Sequence, residues 1–119
     1  MVVPEGGKHL LIDFWGCSEN TLNNISEIES ILRKAAEICG ATVLFSHMHH
    51  FGVDFGVTGV VLLAESHVSI HTWQETGYCA IDAFMCGSCN PNNILPALID
   101  YFKPTKCKIK FEVRGNYNE

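Results

Sequence analysis

The chain has 119 residues and a mass of 13.2 kDa, which fits one domain spanning residues 1–119. Its 47% of hydrophobic residues excludes an intrinsically disordered chain, and its net charge of −5 disfavours a nucleic-acid partner, which needs a basic surface. No apolar run approaches the roughly 20 residues that cross a bilayer, and the start lacks the pattern of a secretory signal. We therefore expect a cytoplasmic protein with no membrane association, whose six cysteines are reduced.

Apolar periodicity predicts six strands and two helices. In chain order they are a strand at 9–15, a helix over 22–39, strands at 42–51, 57–64, 67–73 and 78–85, a helix from about 92 to 102, and a strand at 106–114. The first helix has apolar residues three and four positions apart, with Ser18 or Asn20 suited to cap its start and Gly40 its end. Pro96 is compatible with the second helix only in its first turn.

The last predicted strand alternates strictly between apolar and charged residues. We expect its apolar members to face the core; they are Cys107, Ile109, Phe111 and Val113. The element order β-α-β-β-β-β-α-β predicts an α+β fold, a two-layer α/β sandwich with a mainly antiparallel sheet and two helices on one face. The other sheet face would be partly open, which favours a homodimer in so small a chain.

Ionisable residues concentrate between positions 56 and 89. There an apolar strand runs into Glu65, Ser66 and His67, and His71 and Glu75 follow. Ionisable groups at the end of a buried strand are costly unless they are paired or functional, so this segment is the candidate site.

Other chemistries are less consistent with the sequence. The histidines at 47, 49 and 50 match no specific zinc spacing, so no metal is expected. Cys86 and Cys89 form a CxxC pair, which alone is weak evidence for zinc or redox chemistry. A serine hydrolase is disfavoured because the GxSxG elbow is absent.

The segment GVTGVVLLAESHVSIHTW, followed by GYCAIDAFMCG, closely resembles the short prokaryotic S-adenosylmethionine decarboxylases, a pyruvoyl-dependent family. KHLLIDFWGC near the start, ICGATVL at the end of the first helix and the late FEVRG also look like that family. The resemblance covers nearly the whole chain, and ESHxSIHTW followed by a CG pair is a specific signature.

The resemblance implies an inactive proenzyme that cuts itself between Glu65 and Ser66, giving a β chain of residues 1–65 and an α chain of residues 66–119. The Ser66 hydroxyl would attack the preceding carbonyl, and the resulting ester would be eliminated to leave a covalent pyruvoyl group (pyruvate as the cofactor). That group forms a Schiff base with the substrate amine and accepts electrons as CO₂ leaves.

Further roles follow from the same resemblance. It implies that His71 is the proton acceptor in processing and Cys86 the proton donor in catalysis, for which a thiol with an ordinary pKa of roughly 8.5 is suited. Thr58 would hydrogen-bond during processing beside the substrate, and Glu75 would bind the substrate ribose. The family also implies a homodimer of processed αβ units whose sites take residues from both subunits.

The loop before the 57–64 strand departs from the family pattern. It reads HHFGVDFG, lacks a family proline and is one residue longer. Phe51 is the candidate for stacking on the adenine, with Phe55 as a rival. Asp54 adds an acid near the expected pocket, either as a solvated loop residue or as a group that holds a substrate cation.

Three hypotheses follow. The first is a self-processing S-adenosylmethionine decarboxylase of polyamine biosynthesis, whose product serves spermidine synthesis. The second is the same machinery acting on arginine or ornithine, because of Asp54. The third is an unprocessed, non-catalytic homologue, which the retained Ser66, His71 and Cys86 disfavour.

Overall fold

The computed structural model describes residues 6–52 and 55–115. Asp54, one of the candidate substrate-binding residues, lies outside these ranges. The strands and helices, in chain order, are β1 (Gly7–Trp15), α1 (Glu19–Asn23), α2 (Ile25–Ile38), β2 (Val43–His50), β3 (Val57–Leu63), β4 (Ser66–Trp73), β5 (Tyr78–Met85), α3 (Leu95–Phe102) and β6 (Lys106–Arg114). A 3₁₀ turn over Pro91–Ile94 leads into α3.

The strands form one six-stranded sheet in the order β2-β3-β4-β5-β1-β6, and every neighbouring pair is antiparallel. The helices cover one face, so the predicted α+β sandwich of two layers is confirmed. β1 lies between β5 and β6, which come late in the chain. The sheet is therefore complete only when segments that are distant in sequence have paired. The predicted strand at 78–85 matches β5 residue for residue.

The core lies between the helices and the alternate residues of the strands that point toward them. In β1 these residues are Leu10, Ile12 and Phe14, all buried. On the helical side the buried residues include Ile28, Leu32, Ala35, Ala36, Leu98 and Phe102. Each large side chain buried here contributes about 1.5–3 kcal/mol from removal of apolar surface from water, which holds the helical layer on the sheet. Within the described ranges, no helix is long and apolar enough to cross a membrane.

The predicted first helix is divided at Asn24. This residue has φ −93° and ψ 96°, which is extended backbone, and its side chain accepts a hydrogen bond from the Glu27 N–H at 3.0 Å. Asparagine favours such a cap because its side chain replaces a missing helical acceptor. The result is a short α1 preceded by Ser18 and a longer α2 that carries the apolar face. Gly40 follows α2 with φ +91°, in the region that favours glycine.

The apolar row of β6 lies on the predicted side of the sheet, but the burial expected of it was wrong. Cys107, Ile109 and Phe111 lie opposite Phe14, Ile12 and Leu10, and so on the helix side of the sheet. All of β6 is nevertheless exposed, with Ile109 at 43% and Phe111 at 44%. The reason is position: β6 is the edge strand, and the helical layer ends before it. Strict alternation reports which face a residue is on, whereas burial depends on what covers that face.

Candidate active site

The turn between β3 and β4 contains the expected cleavage point. Leu63 pairs with Ser66, so only Ala64 and Glu65 form the turn. Ser66 has φ +149°, a conformation that residues with a side chain rarely adopt. Holding such a residue there costs on the order of 1–3 kcal/mol, and such strain is concentrated at functional sites. The peptide bond between Glu65 and Ser66 is therefore held next to a strained residue.

The carbonyl oxygen of Glu65 accepts two hydrogen bonds from Cys86. The backbone N–H of Cys86 donates at 3.2 Å, and its Sγ donates at 3.1 Å. This contact follows from register, because Met85 pairs with Ser66 and the next residue along the chain is Cys86. Two donors aimed at one carbonyl oxygen stabilise the negative charge that develops there when a nucleophile attacks the carbonyl carbon.

The Glu65 side chain fixes the turn from the other side. Its Oε1 accepts the Thr42 N–H at 2.9 Å, and the Thr42 carbonyl accepts the Ala64 N–H at 2.9 Å. These two bonds tie the turn to the segment just before β2. Glu65 is thus held through both its side chain and its carbonyl, which leaves little freedom for the peptide bond between Glu65 and Ser66.

Thr58 and His71 lie together on the open face of the sheet. They are direct partners in the pairing of β3 with β4, and the Thr58 hydroxyl donates to the Ile70 carbonyl at 3.5 Å. Both line a shallow cavity of about 340 Å³ that also contains Asp13, Ser69 and Asp82. The structure therefore brings these two predicted residues together at a surface that a ligand or a second chain can reach.

Within one chain, Thr58 and His71 do not reach Ser66. His71 follows Ser66 by five residues on the same strand, and at roughly 3.3 Å per residue the separation is about 16 Å. Cys86 is at the Ser66 end of the site, and Thr58 is at the His71 end. The predicted residues thus form two groups, with Ser66 and Cys86 in one and Thr58 and His71 in the other.

Phe51 belongs to the second group. Its ring stacks on His71 with centroids 5.9 Å apart and an interplanar angle of 23°, and 48% of the residue is exposed. The His71 ring also stacks on Trp73, with centroids 4.0 Å apart. Phe55 is 65% exposed, and Glu75 is exposed in the turn between β4 and β5. Phe51 therefore contacts a predicted site residue, His71.

The loop that carries Phe51 is anchored by a buried threonine. The hydroxyl of Thr72 accepts the Val57 N–H at 2.8 Å and donates to the Leu22 carbonyl at 2.7 Å. Gly56 has φ +85°, and a Cβ there would lie 2.1 Å from the Thr72 carbonyl oxygen. Only glycine fits this close approach. The Phe51 N–H donates to the Gly56 carbonyl at 3.0 Å. This hydrogen bond links the Phe51 backbone to the anchored end of the loop.

Sequence reasoning missed a second cluster on the open face, centred on Asp82. Its carboxylate lies 2.8 Å from Nε2 of His9 and 3.8 Å from Nε2 of His67, and it accepts a hydrogen bond from Ser69. The Ser66 hydroxyl lies 3.4 Å from Nδ1 of His67. Alternation in β4 and β5 places His67, Ser69 and Asp82 on one face, but only the strand register brings them into contact.

All six cysteines are free, and their environments differ. Cys86 is half-buried, whereas Cys89 is buried, and burial, followed by the charges of Glu65 and Cys86, raises the pKa of the Cys89 thiol. Burial raises the pKa of Cys17 and of Cys39 to about 11, so both are poor nucleophiles at neutral pH. Across residues 6–52 and 55–115, no group of three or more His, Cys, Asp or Glu side chains has an arrangement that could hold a metal ion.

Comparison with known proteins identifies the family. Residues 8–115 match the family model described as S-adenosylmethionine decarboxylase. A protein named S-adenosylmethionine decarboxylase proenzyme from Methanococcus aeolicus is 46% identical over 114 residues, covering 95% of this chain and 97% of that relative. A relative of the same name from Fervidobacterium nodosum is 40% identical over 114 residues, covering 95% of this chain and 82% of its own length.

A solved structure agrees with these matches. The crystal structure of the adenosylmethionine decarboxylase from Aquifex aeolicus superposes with a TM-score of 0.83 at 32% identity, covering 94% of this chain and 92% of the other. The agreement in sequence and fold extends over at least 94% of this chain. The chain belongs to the S-adenosylmethionine decarboxylase family.

Proposed function

We propose that the protein decarboxylates S-adenosylmethionine with a pyruvoyl group that it makes from its own Ser66. The observation that carries this proposal is the Glu65 carbonyl, which accepts two hydrogen bonds from Cys86 immediately before a strained serine. A carbonyl prepared in this way is what an internal nucleophilic attack needs. Its occurrence in a chain of this family makes the self-processing chemistry the best account of the site.

In the first step, the Ser66 Oγ attacks the Glu65 carbonyl carbon and loses its proton. The oxygen that becomes negative faces the N–H and Sγ of Cys86. The C–N bond then breaks, the nitrogen of residue 66 takes up a proton, and an ester remains. Relief of the φ strain at Ser66 favours the shift, because the ester no longer holds that peptide bond.

In the second step, a base removes the Cα proton of residue 66 and the ester oxygen leaves as the new carboxylate of Glu65. We assign this base to His71, because a neutral imidazole accepts a proton near pH 7. Loss of ammonia after hydration leaves the pyruvoyl group at the start of the 66–119 chain and frees the 1–65 chain. Thr58, the direct pairing partner of His71, is the hydroxyl available to hydrogen-bond in this step.

The surroundings of residue 66 suit a pyruvoyl group, because its ketone would lie beside the half-buried thiol of Cys86. A pyruvoyl group supplies a ketone that binds the substrate amine and accepts electrons as the carboxylate leaves. Cys86 then donates the proton that replaces CO₂ on the substrate carbon.

Binding of the substrate uses the second group of residues. The exposed Phe51 ring can stack on adenine, and the Glu75 carboxylate can accept hydrogen bonds from both ribose hydroxyls. Because Ser66 and His71 are about 16 Å apart along one strand, the complete site requires a second copy of the chain. We therefore propose a homodimer of processed units in which the open sheet faces meet and each site combines Ser66 and Cys86 of one copy with Thr58, His71 and Phe51 of the other.

Two measurements test the proposal together. Intact mass should show fragments of about 7 and 6 kDa, the shares of 13.2 kDa that 65 and 54 of the 119 residues represent. The purified protein should release labelled CO₂ from carboxyl-labelled S-adenosylmethionine and not from arginine or ornithine. Release of CO₂ from arginine or ornithine alone would support pyruvoyl-dependent decarboxylation but contradict S-adenosylmethionine as the substrate. A chain that stays intact and releases nothing would indicate the non-catalytic homologue.

A further inference from the structure

The Ser66 hydroxyl faces an imidazole that the mechanism above leaves without a role. Oγ of Ser66 lies 3.4 Å from Nδ1 of His67, and Nε2 of His67 lies 3.8 Å from Oδ2 of Asp82. Hydroxyl, imidazole and carboxylate thus follow one another in the order in which a histidine takes a proton from a serine while a carboxylate stabilises the resulting cation.

The contacts of Asp82 all use it as an acceptor, which is the role of an ionised carboxylate. Ser69 donates its hydroxyl hydrogen to Oδ1, and His9 lies 2.8 Å from Oδ2 through Nε2. The Arg114 guanidinium is 3.4 Å from Nδ1 of His9. Because a guanidinium can only donate, Nδ1 of His9 is the acceptor there and its Nε2 carries the hydrogen that Asp82 receives.

The same carboxylate orients the His67 ring. A negative charge facing Nε2 favours the tautomer with hydrogen on Nε2, which leaves the lone pair of Nδ1 directed toward the Ser66 hydroxyl. The ring also packs edge-on against Phe84, with centroids 6.1 Å apart and an interplanar angle of 64°. His67 is therefore held with its accepting nitrogen at the nucleophile.

We propose that His67 is the base that activates Ser66 for self-cleavage and that Asp82 positions it, an inference that rests on the proposed self-processing. The Oγ proton passes to Nδ1 of His67 as the bond from Oγ to the Glu65 carbonyl carbon forms. When the C–N bond breaks, the imidazolium returns this proton to the nitrogen of residue 66. His67 ends neutral, the Asp82 charge is unchanged, and no other reactant is consumed. His71 acts in the later elimination.

The test uses hydroxylamine, which cleaves esters much faster than amides. Freshly translated precursor is followed by intact mass with and without hydroxylamine, for the wild type and for His67→Phe, which keeps an aromatic ring but has no proton acceptor. Loss of a general base predicts cleavage slowed about 100-fold or more. Because the block precedes the ester, hydroxylamine should not restore the rate.

His47→Phe is the matched control, since His47 faces Val60 on the same open face and has no contact with Ser66. It should be processed at the wild-type rate. Equal thermal melting of the two variants shows that His67→Phe is folded, and His67→Gln serves if it is not. A wild-type rate in a folded His67 variant, or a rate restored by hydroxylamine, overturns the inference. A wild-type chain that is never cut contradicts the proposed function itself, and the inference with it.

Because Asp82 acts through His67, the role of Asp82 is tested by comparing the cleavage rates of the two single variants with that of the double variant. Asp82→Asn alone should slow formation of the ester, because the imidazolium loses its stabilising charge. The same change added to His67→Phe should have no further effect on the rate. Rate losses that multiply in the double variant would mean that Asp82 acts independently of His67.

Discussion

Ser66 and His71 occupy the same strand, yet five residues of extended chain, about 16 Å, separate them. A single chain therefore cannot bring both to one reacting group without unpairing β4. The proposed dimer resolves this by supplying His71 from a second copy. If the open faces of two copies pack together about a twofold axis, the Ser66 end of β4 in one copy can lie near the His71 end of β4 in the other.

Complementation tests the shared site. Ser66→Ala and His71→Ala chains should each fail to yield a pyruvoyl group when made alone. Produced together, mixed dimers contain one site with Ser66 from the His71→Ala chain and His71 from the Ser66→Ala chain. Mass analysis should then show cleavage of the His71→Ala chain only. If co-production leaves every chain intact, each site is built from a single copy.

The strain at Ser66 predicts a stability difference between two uncut variants. Ser66→Ala keeps a side chain at φ +149°, whereas Ser66→Gly removes the Cβ that disfavours this conformation. Strain relief of about 1–3 kcal/mol exceeds the 0.5–1 kcal/mol entropic cost of glycine in a strand. We expect the free energy of unfolding of the glycine variant to be higher by about 1 kcal/mol, measured in urea. Equal values would mean that Ser66 is not strained.

Cys86 contributes a backbone donor and a thiol, and substitution separates them. Cys86→Ala keeps the N–H that reaches the Glu65 carbonyl at 3.2 Å and loses the Sγ contact at 3.1 Å. Processing should therefore slow by only about 10-fold or less, because a thiol is a weak donor and the stronger backbone N–H donor to the same oxygen remains. Turnover of the processed enzyme should fall about 100-fold or more, because the proton donor is absent.

Cys107→Ala provides the comparison for Cys86, since this thiol is exposed on the edge strand β6. Fragment yield and CO₂ release should both equal those of the wild type. Full turnover in processed Cys86→Ala would remove Cys86 from the role of proton donor, whatever its effect on processing.

Phe51 and Phe55 can be distinguished by substrate affinity. The Phe51 ring contacts His71, whereas Phe55 is the more exposed of the two. Loss of a ring that stacks on a nucleobase costs about 1–3 kcal/mol, so Phe51→Ala should raise KM for S-adenosylmethionine by about 10-fold or more. Phe55→Ala should change KM less than twofold. The opposite ranking would make Phe55 the stacking residue.

The buried thiols predict a loss of stability in alkaline solution. Burial first, and the neighbouring Cys107 second, raises the pKa of Cys17 from 9.0 to about 11, and burial has the same effect on Cys39. Well below pH 9 both thiols are neutral in the folded and the unfolded chain. As the pH rises from about 9 to about 11, only the unfolded chain loses these protons, so the free energy of unfolding decreases.

Urea unfolding of the uncut Ser66→Ala variant across this pH range checks the prediction. Adding Cys17→Ala should make the decrease shallower, because one of the titrating thiols is gone. An unfolding free energy that is constant from about pH 8 to about pH 11 would show that these thiols do not control alkaline stability.

The sequence determined the fold class, the strand and helix pattern and the family. Alternation in β5 and the apolar β3 identify their strands directly, because side-chain direction in a strand has a period of two. The first helix was predicted only in part, since its division at Asn24 depends on a side-chain cap that competes with continued helix. The candidate site residues came from the family motif. The motif identifies these residues by their order along the chain, but it does not give their positions in space.

The tertiary structure decided burial and contact. The apolar row of β6 has the pattern of a core strand, but it is exposed because none of the helices in the described part of the chain covers this sheet edge. The contact of Cys86 with the Glu65 carbonyl, and that of Asp82 with His67, depend on the β4–β5 register, which joins residues 15 to 21 positions apart. Periodicity is a local property of the chain, whereas register and coverage are set by long-range packing, so only the folded molecule specifies them.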